Sequence, residues 1–126
     1  MIVGLGIDVC SVARIEGILE RHGSIFADRV FTEGELAHAG KGPVKCERLA
    51  ARWAAKEAAI KALGAPEGLA WHDMEVVNAE DGAPSMRLSG SAASCAAAKR
   101  VSNILLSISH AAGVAVAVVV LENTGG

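Results

Sequence analysis

The chain reads as an apolar strand, a block of amphipathic helices, and a second block of strands. From Ile2 to Asp8 the sequence is apolar at alternating and intervening positions alike. That predicts a strand buried on both faces, central in its sheet and ended by Asp8. Gly4 and Gly6 share one face of it and leave room for a close neighbour. Ser11 is placed to cap a helix running to about His22, with Val12, Ile15 and Leu19 inward and Arg14, Ile18 and Arg21 nearly opposite. Gly23 breaks that helix, and Ile25 to Val30 reads as a short helical turn. Thr32 caps a helix through His38, with Glu35 completing a capping box. After the loop Gly40 to Pro43, a long helix spans about Val44 to Leu63, stopped by Gly64 as a residue free to take positive φ. From Met74 the period drops to two. Met74 to Asn78, the turn Asp81 to Pro84 and Ser85 to Leu88 form a hairpin, then an alanine-rich helix covers about Ser91 to Arg100. Asn103 to His110 and Val114 to Leu121 are the last strands.

This order predicts an α+β fold, a mostly antiparallel sheet packed against one long helix. Val114 to Leu121 is apolar on both faces, whereas one layer of helices covers only one face of a sheet. The other face is therefore expected to be buried against copies of the same chain.

The long helix carries the candidate chemistry. At about 100° per residue, Leu49, Trp53, Lys56, Ile60 and Leu63 fall on one stripe, read as the core face with the Lys56 stem along it. Beside it run Ala50, Ala54, Glu57 and Lys61. Alone, Glu57 and Lys61 read as an ordinary surface pair one turn apart. Asp8 changes the picture. A carboxylate at a strand end and another on the inner edge of the packed helix, with no Cys or His cluster near, suit a hard oxygen-preferring cation, above all Mg²⁺. Lys61 then lies where it can hold a phosphate oxygen. Spacing does not show that the two acids meet. His110, ending its strand, either hydrogen-bonds a phosphate or satisfies a buried neighbour. His22, His38 and His72 are assigned no role. Arg14 and Arg21 flanking Ile18 suit a docking surface for an acidic helix, or else a solvated face. Gly4-Leu5-Gly6 opens like a dinucleotide fingerprint, but Val9 stands where the third glycine belongs, so that motif is rejected.

With 126 residues, one domain over 1–126 is expected. Hydrophobic residues make up 52% and aromatics 3%, so the core relies on close approach of alanines rather than on rings. A net charge of −2 argues against nucleic acid as a partner. Three widely spaced cysteines form no C-x-x-C pair and fit a reduced cytoplasm. Asp8 interrupts the first apolar run and no basic segment precedes it, so no signal peptide is expected. Val114 to Leu121 is too short to span a bilayer as a helix, and no membrane partner is expected.

Taken together, Gly4-Leu5-Gly6-Ile7-Asp8, Arg14-Ile15-Glu16, Phe31-Thr32-Glu33-Gly34-Glu35-Leu36, Ala51-Arg52-Trp53-Ala54-Ala55-Lys56-Glu57-Ala58-Ala59-Ile60-Lys61-Ala62, Asp81-Gly82-Ala83-Pro84 and Ser107-Ile108-Ser109-His110 resemble the holo-acyl-carrier-protein synthases, small bacterial 4′-phosphopantetheinyl transferases. The likeness spans nearly the whole chain, in order. It implies transfer of the phosphopantetheine arm of coenzyme A to a serine of an acyl carrier protein, in support of fatty acid biosynthesis. It also implies a homotrimer with active sites between subunits. By the same likeness Asp8 and Glu57 hold Mg²⁺, Lys61 contacts phosphate, and Arg52 and His110 reach phosphate groups, in part from a neighbouring subunit. Gly64 and Pro84 line the coenzyme, and Arg14 and Arg21 meet the acidic carrier helix. Members often have a polar residue after the histidine; here it is Ala111, a change expected to remove one substrate contact. From the residues alone, two other classes stay open: an oligomeric module binding an acidic partner, and a different enzyme acting on a nucleotide phosphate.

Overall fold

The structure is a computed structural model that describes residues 1–125. In order it contains β1 (Ile2–Ser11), α1 (Val12–Val30), α2 (Glu33–Ala39), α3 (Lys45–Ala62), a 3₁₀ turn (Trp71–Asp73), β2 (Met74–Asn78), β3 (Pro84–Leu88), α4 (Gly90–Ala98), β4 (Asn103–Ala111) and β5 (Val114–Glu122). The start signals act as read. Ser11 Oγ accepts from Arg14 N at 3.1 Å, and Thr32 with Glu35 forms the complete capping box. Gly23, at φ 53° and ψ −133°, kinks α1 between its two halves. Gly64 follows α3 at φ 89°, in the left-handed region that glycine adopts readily.

β1, β5 and β4 form an antiparallel sheet in that order, whereas β2 and β3 pair as a separate two-stranded sheet. Two expectations are corrected. There are two small antiparallel sheets rather than one larger one, and β1 is an edge strand rather than a central one. The apolar pattern reports what lies above and below a strand, not what lies beside it, so it could not place β1 laterally. β1 also runs three residues past Asp8. Val9 and Cys10 continue the pairing with Val116 and Ala115, so Asp8 sits inside the strand.

Register explains why α3 approaches β1 so closely. The even residues Gly4, Gly6, Asp8 and Cys10 face the helix. A Cβ on Gly6 would lie 1.9 Å from the Ala58 carbonyl oxygen, and one on Gly4 2.2 Å from that of Ala62. Only glycine admits the helix backbone at that distance. The deepest face of α3 is accordingly its alanine face: Ala50, Ala54, Ala55, Ala58 and Ala62 are buried. The stripe read as the core face is covered unevenly. Leu49, Lys56 and Leu63 are buried, but Trp53 and Ile60 only in part, because the helix is covered on two sides by different elements.

Lys56 is buried to the tip of its side chain. Its Nζ is buried 2.7 Å from Glu35 Oε1 and donates to the carbonyls of Val30 (2.8 Å) and Trp71 (3.0 Å). Glu35 in turn accepts from Thr32 N (2.9 Å) and Val76 N (2.8 Å). The opposite face of the sheet is open in one chain: Leu5 is 64%, Ile7 56%, Val9 56% and Leu105 49% exposed.

Candidate active site

Asp8 and Glu57 do come together. The glycine-lined approach of α3 to β1 sets Glu57 beside Asp8, and burial first, then the Asp8 charge, push the Glu57 carboxyl above its usual range. Lys61 and Arg14 pull the other way. Lys61 Nζ lies 3.0 Å from Asp8 Oδ1 and donates to the Ile7 carbonyl at 3.0 Å. The ion pair that Lys61 makes is thus with the strand, not with Glu57 one turn back. Asp8 is only 17% exposed while Lys61 is 52% exposed, so a shielded acidic pair opens to solvent beside one exposed cation.

Arg14 stands beside this pair. Its guanidinium lies over the Trp53 ring, 5.6 Å from the centroid, and Trp53 stacks on Trp71 at 5.0 Å. Arg14 therefore has an aromatic seat on α3 while remaining exposed, rather than standing free on a solvated face. Ile18 is half-buried, not exposed, and Arg21 is exposed with its guanidinium over Gly17. Gly64 ends α3 one turn beyond Lys61, next to the Lys99 ammonium.

The remaining candidates form a second cluster. Arg52, Pro84 and His110 line one cavity of about 220 Å³ together with His38, Glu47, Arg48 and Asn78. On α3, Arg52 and Glu57 are five residues apart, roughly 140° around the axis. The two clusters therefore flank opposite sides of one helix. Arg52 is 4% exposed. It donates to the Arg48 carbonyl (2.9 Å), to Asn78 Oδ1 (2.8 Å) and to His38 Nδ1 (2.6 Å), while its buried Nε has no partner among the described residues. An orphaned buried guanidinium N–H beside a cavity marks a place for an acceptor. His110 Nδ1 lies 3.1 Å from Glu47 Oε1, so His110 is held by a carboxylate at the rim. Ala111 follows it at the exposed end of β4.

His38, Asn78, Glu47 and Arg48 escaped the reading of the sequence. No periodic or spacing signal connects a helix end, a hairpin strand and the start of α3. Their meeting is a product of packing.

A divalent cation fits the first cluster by donor chemistry. Two carboxylates near enough to feel each other's charge, one of them with its ionised form disfavoured, would be relieved by a cation between them. Among the described residues no group of three or more His, Cys, Asp or Glu could enclose a metal. An oxygen pair without a full cage suits Mg²⁺, which keeps water and substrate phosphate in its shell.

Residues 4–119 match the model of the 4′-phosphopantetheinyl transferase superfamily. The holo-[acyl-carrier-protein] synthase of Solibacter usitatus (strain Ellin6076) is 46% identical over 125 residues, 98% of this chain and 100% of that protein. Two solved structures share the fold. The Bacillus anthracis holo-(acyl-carrier-protein) synthase in complex with CoA (3′,5′-ADP) has 39% identity and a TM-score of 0.80, over 98% of this chain and 99% of that one. The Helicobacter pylori holo-[acyl-carrier-protein] synthase in complex with coenzyme A has 32% identity and a TM-score of 0.83, over 94% and 99%. The chain belongs to the holo-[acyl-carrier-protein] synthase family of 4′-phosphopantetheinyl transferases. Among the described residues no helix is long and apolar enough to cross a membrane.

Proposed function

We propose that this protein transfers the 4′-phosphopantetheine group of coenzyme A to a serine of an apo acyl carrier protein, releasing adenosine 3′,5′-bisphosphate, and so supports fatty acid biosynthesis. The observation that carries the reading is the convergence of Asp8 and Glu57, from β1 and α3, beside Lys61. The coenzyme A complexes of the related synthases support the choice of donor.

The nucleophile belongs to the carrier. Its serine oxygen attacks the phosphorus that bears the pantetheine arm, and the bond from that phosphorus to the bridging oxygen of the bisphosphate breaks. Asp8 and Glu57 are the residues that would hold Mg²⁺, which when bound withdraws charge from the pyrophosphate. Lys61 supports the oxygen that leaves with the bisphosphate. The serine proton leaves at the solvent-open edge of the acidic pair, where Glu57 or a water molecule takes it. Arg14 and Arg21 on α1 receive the acidic carrier helix next to the acidic pair. Gly64, without a side chain, lets the coenzyme pass over the end of α3.

Arg52, Pro84 and His110 form the other half-site, holding the adenosine phosphates. Because that half-site lies on the far flank of α3, one substrate reaches both halves only when a second copy supplies one of them. The exposed Leu5, Ile7, Val9 and Leu105 give the copies an apolar surface to share. The assembly that the family likeness implies is a homotrimer, and we take that as the working form, with its sites between subunits. Three unpaired cysteines suit a reducing cytoplasm.

The test is incubation with apo carrier, coenzyme A and Mg²⁺, followed by intact-protein mass. The expected result is a phosphopantetheine adduct on the carrier, abolished by chelation. An unmodified carrier, or equal turnover of nucleotides that lack the pantetheine arm, would overturn it. Arg14→Glu is expected to raise the KM for carrier well above any change in the KM for coenzyme A.

A further inference from the structure

The cavity cluster contains a contact whose sign is unusual. An arginine always donates, so the imidazole nitrogen facing Arg52 Nη2 at 2.6 Å has to be an acceptor. Asn78 Oδ1, at 2.8 Å, is the other acceptor on the same nitrogen, and Asn78 is itself anchored by donating to the Gly82 carbonyl at 3.1 Å. His38 and Asn78 thus occupy both hydrogens of Nη2 and fix the plane of the guanidinium. Nε is left pointing to no protein group. The two acceptors come from α2 and β2, so neither is set by the helix that carries Arg52.

The geometry points to His38 as a positioning residue for the adenosine-phosphate half-site: its neutral imidazole aims Arg52 at the coenzyme phosphate, and protonation of that ring releases the aim. This rests on the reading of the Arg52 cavity as a coenzyme half-site. The charged and titratable groups facing His38 are Glu47, Arg48 and Arg52 from α3, Glu75 from β2, Arg87 from β3 and His110 from β4. Burial, then Arg52 and Arg48, hold the imidazole below its usual range. The acceptor form therefore persists at neutral pH and is lost only as the medium turns acid. His110 presents Nδ1 to a carboxylate, so there the ring nitrogen has to carry its hydrogen and donate. The two imidazoles of one cavity thus play opposite hydrogen-bond roles at Nδ1, acceptor in His38 and donor in His110.

The experiment measures the KM for coenzyme A and for carrier from about pH 5 to 8. It uses wild type, Arg52→Ala, His38→Leu, His38→Asn and the double variant His38→Leu/Arg52→Ala. Arg52→Ala is expected to raise the coenzyme KM about tenfold or more, the scale of a lost charged hydrogen bond. His38→Leu should raise it about three- to tenfold, leave the carrier KM and kcat within about twofold, and add nothing in the double variant. His38→Asn, which puts an amide oxygen where Nδ1 stood, should restore the neutral-pH value. It should also remove the rise in coenzyme KM that wild type shows below the ordinary histidine value of 6.5. An NMR titration of His38 should move up in Arg52→Ala. If Arg52→Ala leaves the coenzyme KM unchanged, the half-site reading itself fails. If Arg52→Ala raises it while His38→Leu is silent, or acts additively, or weakens carrier equally, only the positioning role is overturned.

Discussion

Two lysine–carboxylate pairs lie within a turn and a half of each other on α3, with nearly the same separation: Lys56–Glu35 at 2.7 Å and Lys61–Asp8 at 3.0 Å. Their surroundings differ completely. The first is fully buried, and its ammonium and carboxylate are met by two backbone carbonyls and two backbone N–H groups. It ties the end of α1, the α2 cap, the 3₁₀ turn and β2 to the helix. Nothing in it is left over for a ligand. The second is partly open and has a further carboxylate at its side, Glu57, whose charge burial and Asp8 disfavour more than Lys61 and Arg14 offset. The same chemistry is a fastening where every polar atom is matched, and a reagent where one is not.

Replacing each lysine by methionine exposes the contrast most directly. Lys56→Met should lower stability by about 3–5 kcal/mol, because Glu35 remains buried without its counter-charge. Lys61→Met should change it by less than about 1 kcal/mol, as an exposed lysine pair is worth little. Denaturant melts of both would show it, and equal losses would dissolve the distinction. Asp8→Asn should lower turnover about 10²- to 10³-fold, roughly 3–4 kcal/mol of barrier, with the melting temperature nearly unchanged. A large fall in melting temperature would make Asp8 another fastening. Gly6→Ala sharpens the link between packing and chemistry. Its Cβ meets the Ala58 carbonyl, so β1 and α3 must part; a loss of about 1–3 kcal/mol is expected, with turnover falling as well.

The smallest effect has the most telling sign. The folded state holds the Glu57 proton more tightly than the unfolded chain does, so this group subtracts stability as pH rises from the ordinary glutamate value of 4.5 through the raised one. Glu57→Gln removes that loss. Its melting temperature should exceed wild type by a few degrees at about pH 8 and match it below pH 4, while turnover collapses. A variant less stable than wild type at pH 8 would remove the disfavoured Glu57 charge from the account.

Local chemistry was readable in advance. The Thr32–Glu35 capping box, the Ser11 cap, the Gly23 kink and the Gly64 stop depend on residues a few positions apart, and sequence spacing describes such contacts fully. The acidic pair was legible only as two residue types, because β1 is apolar on both faces and its pattern does not say which way Asp8 points. What spacing could not supply was lateral order and long-range partners. β1 is apolar above and below, yet lies at an edge, because hydrophobicity does not encode which strand is beside it. The pattern places Lys56 with its stem along the core stripe and Glu35 in a capping box, and says nothing of a contact between them. Only the fold brought them together, across 21 residues, at no helical or strand period. His38 gave no signal at all, since its partner is fixed by how α2, α3 and β2 stack. The sequence by itself determined which residues could do chemistry and where the helices cap, kink and stop. The tertiary structure decided which charges are matched and which are left to act, because matching depends on distances between elements, and those are set by packing rather than by order along the chain.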